Sequence, residues 1–480
     1  MTPQAMTFEK KSVACVIHFK RVDRQINLTG LSELFSNLSN PSILGGSDAK
    51  INADGFSYWA AEPREIFEFH SHHYQPFEKL GQILDKYKLQ KKVHDDLPNG
   101  IFVGGWIGYF SYELGRYIEK IPETAADDLK MPLTRLCFYD KVICYDHRKK
   151  VFWLIALEIT DDRVPVSEKL QWLNEKLNES QKITVQLPEA TKIQDIDLSQ
   201  VRSNMDKASY LDALAKIRRY IYDGIVYQVN FSHRFECDYK AEPIKLFHWQ
   251  NQYNPSGHAA YILTDDFSIV SASPEMFITL KDGIISTKPI KGTRPRFAET
   301  GAESMKINER NFAELAASEK EQAELNMIID LERNDLARIC RPGTRVVTQP
   351  RTIESYPTVF HAVAVVSGRL RDDVRFCDIM RAMFPGGSIT GAPKVSAMEI
   401  IDQTEPTVRG VYTGSIGYIG IDENACLNIA IRTVIVKDNK AYAQTGGGIV
   451  ADSDPQAEWD ETIVKARALL AGINSVQRSA

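Results

Sequence analysis

A chain of 480 residues exceeds the size at which a single hydrophobic core usually stops growing, so two cores or one large layered domain are expected. With 43% hydrophobic and 25% charged residues, the composition is that of a folded globular protein and excludes a disordered or low-complexity chain. A formal net charge of −5, with no clustered Arg/Lys helix and no aromatic stacking repeat, offers nucleic acid no basic field.

From the first residues onward, nothing addresses the chain to a membrane. The stretch before Ser12 lacks an apolar signal core, and no run approaches the roughly 20 apolar residues of a membrane span. Seven cysteines are scattered, at 15, 137, 144, 237, 340, 377 and 426, without a Cys-x-x-Cys pair. They read as reduced thiols, and the expectation is a soluble cytoplasmic protein.

Residues 1–195 read as scaffold. Strands are expected at Ser12 to His18, at Lys141 to Tyr145 and at Val151 to Leu157, the last apolar enough to be buried on both faces. His70-Ser-His-His73 has no carboxylate or cysteine support, and His72 and His73 should point apart on a strand, so no metal is assigned there. Between Gly104 and Arg116 the glycines alternate with bulky aromatics, which suits close packing against another layer rather than phosphate binding. The polar passage that includes Leu187 to Gln200 is the expected connection to a catalytic region over 196–480.

In that second region, Ser209 to Ile221 has helical spacing closed by Asp223-Gly224, and a strand should follow from Ile225 to Phe231. Two strands are expected within Thr264 to Leu280, joined at Ser273-Pro274-Glu275. Pro289-Ile-Lys-Gly-Thr-Arg-Pro-Arg296 then reads as a stiffened loop that offers Lys291 among other cations. Like charge and desolvation both favour a neutral amine, which makes Lys291 a candidate nucleophile.

Two helices carry matching carboxylate pairs. Glu321 and Glu324 lie three apart on a helix starting at Ser318, where Glu321 could equally serve a capping box. Glu458 and Glu461 repeat the spacing on the last helix, after Pro455, where Glu461 could equally pair with Lys465. Hard oxygen ligands with no zinc-type partners point to Mg²⁺, provided the helices meet. Phe384 to Lys394 and Thr445 to Val450 are expected as glycine loops presenting amides to an anion.

From about 195 to 475 these strings, taken in order, resemble the chorismate-utilising enzymes, a family that includes anthranilate, aminodeoxychorismate, isochorismate and salicylate synthases. The resemblance is carried by Ser273-Pro-Glu275, Pro289 to Arg296, Asp330-Leu-Glu-Arg-Asn-Asp335, Phe384 to Lys394, Ile431-Arg-Thr433, Gly446 to Pro455 and Glu458-Trp-Asp-Glu-Thr462. The first ~190 residues match loosely, chiefly through Gly104 to Arg116. The resemblance implies an α+β fold of two large, mostly antiparallel sheets packed together and flanked by helices.

Within the family, members that add water to the ring have a lysine where this chain has Gln228. Anthranilate synthases typically have alanine where it has Lys291. Both positions resemble the aminodeoxychorismate-forming branch of 4-aminobenzoate and folate synthesis. The resemblance implies Lys291 as nucleophile and Glu275 as general acid, with Mg²⁺ held through Glu324 and Glu461 and supported by Glu321 and Glu458. It also implies substrate contacts from Gly292, Thr293, His361, Tyr412, Arg432, Lys465 and the amides of Gly446, Gly447 and Gly448.

There are departures from the family pattern. Leu325 stands where many members have histidine, and no Leu-Leu-Glu-Ser feedback motif is found, although a structural tryptophan site in the first region stays open. No glutaminase Cys/His/Glu arrangement is visible, so ammonia is expected from a separate glutamine amidotransferase subunit. An anthranilate synthase with an unusual lysine and a non-catalytic chorismate-binding regulator are the competing readings.

Overall fold

The computed structural model describes residues 12–46, 55–91, 93–160, 162–187, 189, 196, 201–297 and 301–478. Among these, a 13-stranded and a 10-stranded sheet dominate, and their neighbours are antiparallel except where Val13–Val22 runs parallel to Tyr87–Leu89. This is the expected α+β architecture.

Alternation along one strand shows how the layers are made. Val151–Ile159 is buried almost throughout. Phe152 and Leu154 join the core under the helices, whereas Val151, Trp153 and Ile155 join a second core with Ile107, Cys137, Tyr139 and Tyr418 of the other sheet. Side chains two apart share a face, so one strand serves two cores.

Both regions of the chain contribute to both sheets. The larger sheet takes in Val13–Val22 and Val151–Ile159 as well as Gln228–Asp238 and Lys440–Ile449, and in the smaller one Gly105–Phe110 pairs with Ser415–Gly420. The expected boundary at 195–196 falls in a stretch that lies mostly outside the described residues. The glycine string does pack closely: a Cβ on Gly108 would lie 1.9 Å from the Arg135 carbonyl oxygen, and one on Gly105 2.5 Å from that of Ile419.

Some expectations are corrected. His72 and His73 do not stand apart on a strand; the strand ends at Phe69, and the two rings meet in a turn with centroids 4.2 Å apart. The strand after the Lys207–Tyr222 helix begins at Gln228 rather than Ile225, and its first eight residues are buried on both faces. All seven cysteines are free, and among the described residues no helix is long and apolar enough to cross a membrane.

The chain passes from one sheet to the other at one point that matters for chemistry. Phe267–Ser273 belongs to the larger sheet and Met276–Lys281 to the smaller, so Pro274 and Glu275 form the crossing.

Candidate active site

Pro289 to Arg296 is not a loop. Ile290–Pro295 is a strand at the edge of the smaller sheet, paired with Val359–Arg369 through a register shift between Ile290 and Thr293. Such an irregularity re-aims side chains. Gly292 sits within it at φ +91°, and a Cβ there would lie 2.9 Å from Glu321 Oε2. Glycine takes this conformation without strain and leaves room for the carboxylate.

Lys291, on this lysine strand, faces Glu275, Glu324, Glu461 and Lys465. Burial lowers the pKa of its amine and Lys465 adds to the effect. The three carboxylates oppose this without restoring the ordinary lysine value. A buried cation that has lost its hydration gives up its proton more readily, which is what a nucleophilic amine requires.

Glu275 is 5% exposed and is positioned by the crossing itself. Its carbonyl accepts the Ile429 amide at 2.9 Å, and its own amide donates to Ser273 Oγ. Burial raises the carboxyl pKa; a hydrogen bond from Ser388, the charge of Lys291 and the Ile290 amide only partly offset this. Its Oε1 has no hydrogen-bond partner among the described residues. A buried carboxyl inclined to keep its proton, with one oxygen free, is equipped to donate that proton.

The two carboxylate pairs come from the N-terminal turns of their helices. On Glu319–Ala337, Ser318 Oγ accepts the Glu321 amide as the N-cap, while the Glu321 Oε1 receives Arg294 at 2.8 Å and Oε2 is buried without a partner. On Pro455–Arg478, Glu458 accepts Ser453 Oγ at 2.6 Å and Glu461 pairs with Lys465 at 2.7 Å. Burial, and then the charge of Glu461, raise the Glu458 pKa. Burial pushes Glu461 the same way, but Lys465, Lys291 and Lys320 outweigh it and its pKa falls.

Among the described residues no group of three or more His, Cys, Asp or Glu is already gathered at metal-binding spacing. The donor set nevertheless suits a hard cation: it is all oxygen, Glu321 Oε2 has no protein partner, and Glu458 and Glu461 repel each other.

Gly446, Gly447 and Gly448 are also not a loop. They belong to the Lys440–Ile449 strand, opposite Ser232, Phe231 and Asn230. Their neighbours explain the missing side chains. A Cβ on Gly446 would lie 2.4 Å from the Phe231 carbonyl oxygen, one on Gly447 3.1 Å from Glu458 Oε2, and one on Gly448 3.2 Å from the Gln228 carboxamide. Gln228 is fully buried, and among the described residues neither carboxamide atom has a hydrogen-bond partner. Lys465 donates to the Gly446 carbonyl at 2.8 Å, tying the last helix to this glycine strand.

His361 and Thr293 face each other across the lysine strand, with Nδ1 and Oγ1 2.8 Å apart. Burial, reinforced by the nearby charge of Arg432, pushes the imidazole pKa down to about 3, so the ring is neutral. Arg432 holds a left-handed backbone at φ +50°, and its carbonyl accepts the Ala272 amide. Tyr412 is buried against Arg409, whose guanidinium also pairs with Glu405; its link to the carboxylates runs through Tyr210, which lies near Glu458 and Glu461.

Sequence reasoning missed several participants. Ser388 acts on the Glu275 carboxyl, and Lys320 acts on both Glu458 and Glu461 from the other carboxylate helix. Glu332 and Asp335, with Lys394 paired to Asp335, form a second acidic group behind the acid. All but Lys320 lie in strings already singled out, but nothing in those strings marks which side chains turn inward.

Comparison with known proteins places this geometry. Residues 50–471 match the family model described as chorismate binding enzyme. The chain is 38% identical to aminodeoxychorismate synthase component 1 of Salmonella typhimurium, over 82% of each protein. It is 36% identical to anthranilate synthase component 1 of Acinetobacter calcoaceticus, over 83% of this chain and 80% of that one. Among solved structures, anthranilate synthase component I from Streptococcus pneumoniae superposes with a TM-score of 0.73 at 29% identity, covering 86% of this chain and 92% of that one. The menaquinone-specific isochorismate synthase of Escherichia coli, at 15% identity and a TM-score of 0.68 over 97% and 96% of the two chains, shares the fold. By extent of match and by identity, this chain belongs to the chorismate-binding enzyme family.

Proposed function

We propose that the chain acts as the chorismate-aminating component of an aminodeoxychorismate synthase, converting chorismate and ammonia to 4-amino-4-deoxychorismate on the route to 4-aminobenzoate and folate. The observation that carries this reading is Lys291, a desolvated amine facing a buried acid, Glu275, that tends to keep its proton.

In the proposed reaction the Lys291 amine forms a bond to ring C2 as the C4–O bond breaks. The ring double bonds shift, and Glu275 protonates the departing hydroxyl so that it leaves as water. The proton shed by the lysine nitrogen restores Glu275. Ammonia then bonds to C4 and the C2–N bond breaks; a proton from the incoming nitrogen returns Lys291 to the neutral amine. Two displacements retain configuration at C4, the ordinary advantage of a covalent intermediate.

Glu324 and Glu461, with Glu321 and Glu458 in support, would hold a magnesium ion that supplies positive charge for the ring carboxylate. Lys465, the glycine-strand amides, Arg432 and the neutral His361 are the proposed contacts for the remainder of the substrate. Gln228 offers no base for activating water. Ammonia is proposed to come from a glutamine amidotransferase subunit, in keeping with relatives named as component 1.

The likeness to anthranilate synthases makes anthranilate formation the second reading. The test is product identification by chromatography and mass spectrometry after incubating the protein with chorismate, Mg²⁺ and ammonium salt. Accumulation of 4-amino-4-deoxychorismate is expected. Anthranilate as sole product would assign the chain to tryptophan synthesis, and binding without turnover would make it a regulator.

A further inference from the structure

Behind Glu275 lies a second acidic group that the reaction written above does not use. Glu332 and Asp335 are 3% and 7% exposed and sit three apart on one face of the Glu319–Ala337 helix. Lys394 Nζ lies 2.5 Å from Asp335 Oδ2 and donates to the Met383 carbonyl at 3.0 Å. Glu332 instead lies against Gly387, whose amide acts to lower its carboxyl pKa. A Cβ on Gly387 would lie 3.5 Å from Glu332 Oε1 and 2.4 Å from Leu331 Cδ2, so the turn is pressed directly onto the helix.

Gly387 opens the Gly387–Ile389 turn, and its neighbour Ser388 lies close enough for its hydroxyl to lower the Glu275 pKa. Thr390 Oγ1 holds the same turn by donating to the Gly386 carbonyl at 3.0 Å. Helix, turn and acid thus form one continuous chain of contacts.

We infer that Glu332 is a positioning residue for the acid: by accepting the Gly387 amide, it fixes the turn that presents the Ser388 hydroxyl to Glu275. Burial, Asp335 and Glu275 outweigh the charge of Lys394 and the Gly387 amide, and the Glu332 pKa rises to about 8. The shift favours the protonated form, whose carbonyl oxygen can accept the amide without adding a second negative charge behind the acid. Glutamine is an isostere of that form. The inference rests on Glu275 being the acid of the proposed reaction.

The test follows chorismate consumption, whatever the product, with Mg²⁺ and ammonium salt. It compares wild type, Glu332→Met, Glu332→Gln, Ser388→Ala and the Glu332→Met/Ser388→Ala double variant. Loss of either link is expected to lower kcat about tenfold with KM within about twofold of wild type, as for a hydrogen bond that matters in the transition state. The double variant should be no slower than the slower single, and Glu332→Gln should stay within about twofold of wild type.

Methionine keeps the buried volume; should it fail to fold, Glu332→Ala carries the same expectation. Multiplying losses of about a hundredfold in the double variant would overturn the inference, because independent effects add in free energy. So would a Glu332→Gln variant as slow as Glu332→Met. Wild type that makes anthranilate sinks the proposed product but leaves this coupling measurable, and wild type that consumes no chorismate overturns both.

Discussion

The two walls of the candidate site differ in how firmly the fold holds them. The wall made by Gln228–Asp238 and Lys440–Ile449 is an unbroken ladder from Val229 opposite Ile449 to Asp238 opposite Lys440, and it is buried along most of its length. The lysine-strand wall lies at a sheet edge, breaks register, and exposes Thr293 and Pro295. Rigidity is concentrated where substrate carboxylates are proposed to be anchored, and irregularity where an amine must be aimed. A regular ladder fixes side chains to its two faces, whereas a bulge frees one of them to point elsewhere.

The sharpest way to break this comparison is to remove the reacting group. Lys291→Ala is expected to lower C4 amination by about a thousandfold or more, while chorismate affinity, which the other wall is proposed to set, changes little. Glu275→Gln removes the proton donor and should cost about 10²–10⁴-fold in kcat. Both are read by product formation against substrate binding in calorimetry.

A pair of glycine substitutions tests the walls themselves. In Gly446→Ala the new methyl meets a carbonyl oxygen inside the ladder. It should destabilise the fold by about 1–3 kcal/mol, seen as a lower Tm. In Gly292→Ala the methyl meets φ +91° and the Glu321 carboxylate at a sheet edge. Here a loss of kcat/KM should exceed the loss of Tm.

The smallest expected effect is on acid stability. His233 belongs to the glycine wall, where burial holds its pKa down to about 4, and His361 to the lysine wall, at about 3, both from 6.5. The folded state keeps both rings neutral, whereas the unfolded chain binds protons below 6.5. Their stabilising contribution is therefore complete above pH 6.5 and lost as the pH falls through that value. The loss is complete near pH 4 for His233 and near pH 3 for His361. His233→Asn and His361→Asn should each flatten the fall of Tm over the matching window.

Much of the site was legible in sequence because its chemistry lies in short contiguous strings. Lys291, Glu275 and the four carboxylates proposed to hold a metal could be named, and Ser318 and Pro455 marked the helix starts that carry those carboxylates. The strands bearing Lys291 and Gly446 to Gly448 were read as loops, because proline and glycine are ordinarily turn signals. In the folded chain, Gly292 serves a bulge inside a strand. Gly446 is required because a neighbouring carbonyl leaves no space for a Cβ. Glu332, Asp335 and Lys394 stayed hidden for another reason: Asp335 and Lys394 meet across 59 positions, and only the packing of helix on turn brings them together.

The central claim is that Lys291 becomes covalently attached to the ring. Its most direct test is to mix the protein with chorismate and Mg²⁺ without ammonia, quench in acid, and measure intact mass followed by peptide mapping. The account predicts a mass increase equal to chorismate less one water, on the peptide containing Lys291 and absent in Lys291→Ala. Full turnover once ammonia is added, with no adduct at any quench time and an active Lys291→Ala variant, would contradict it.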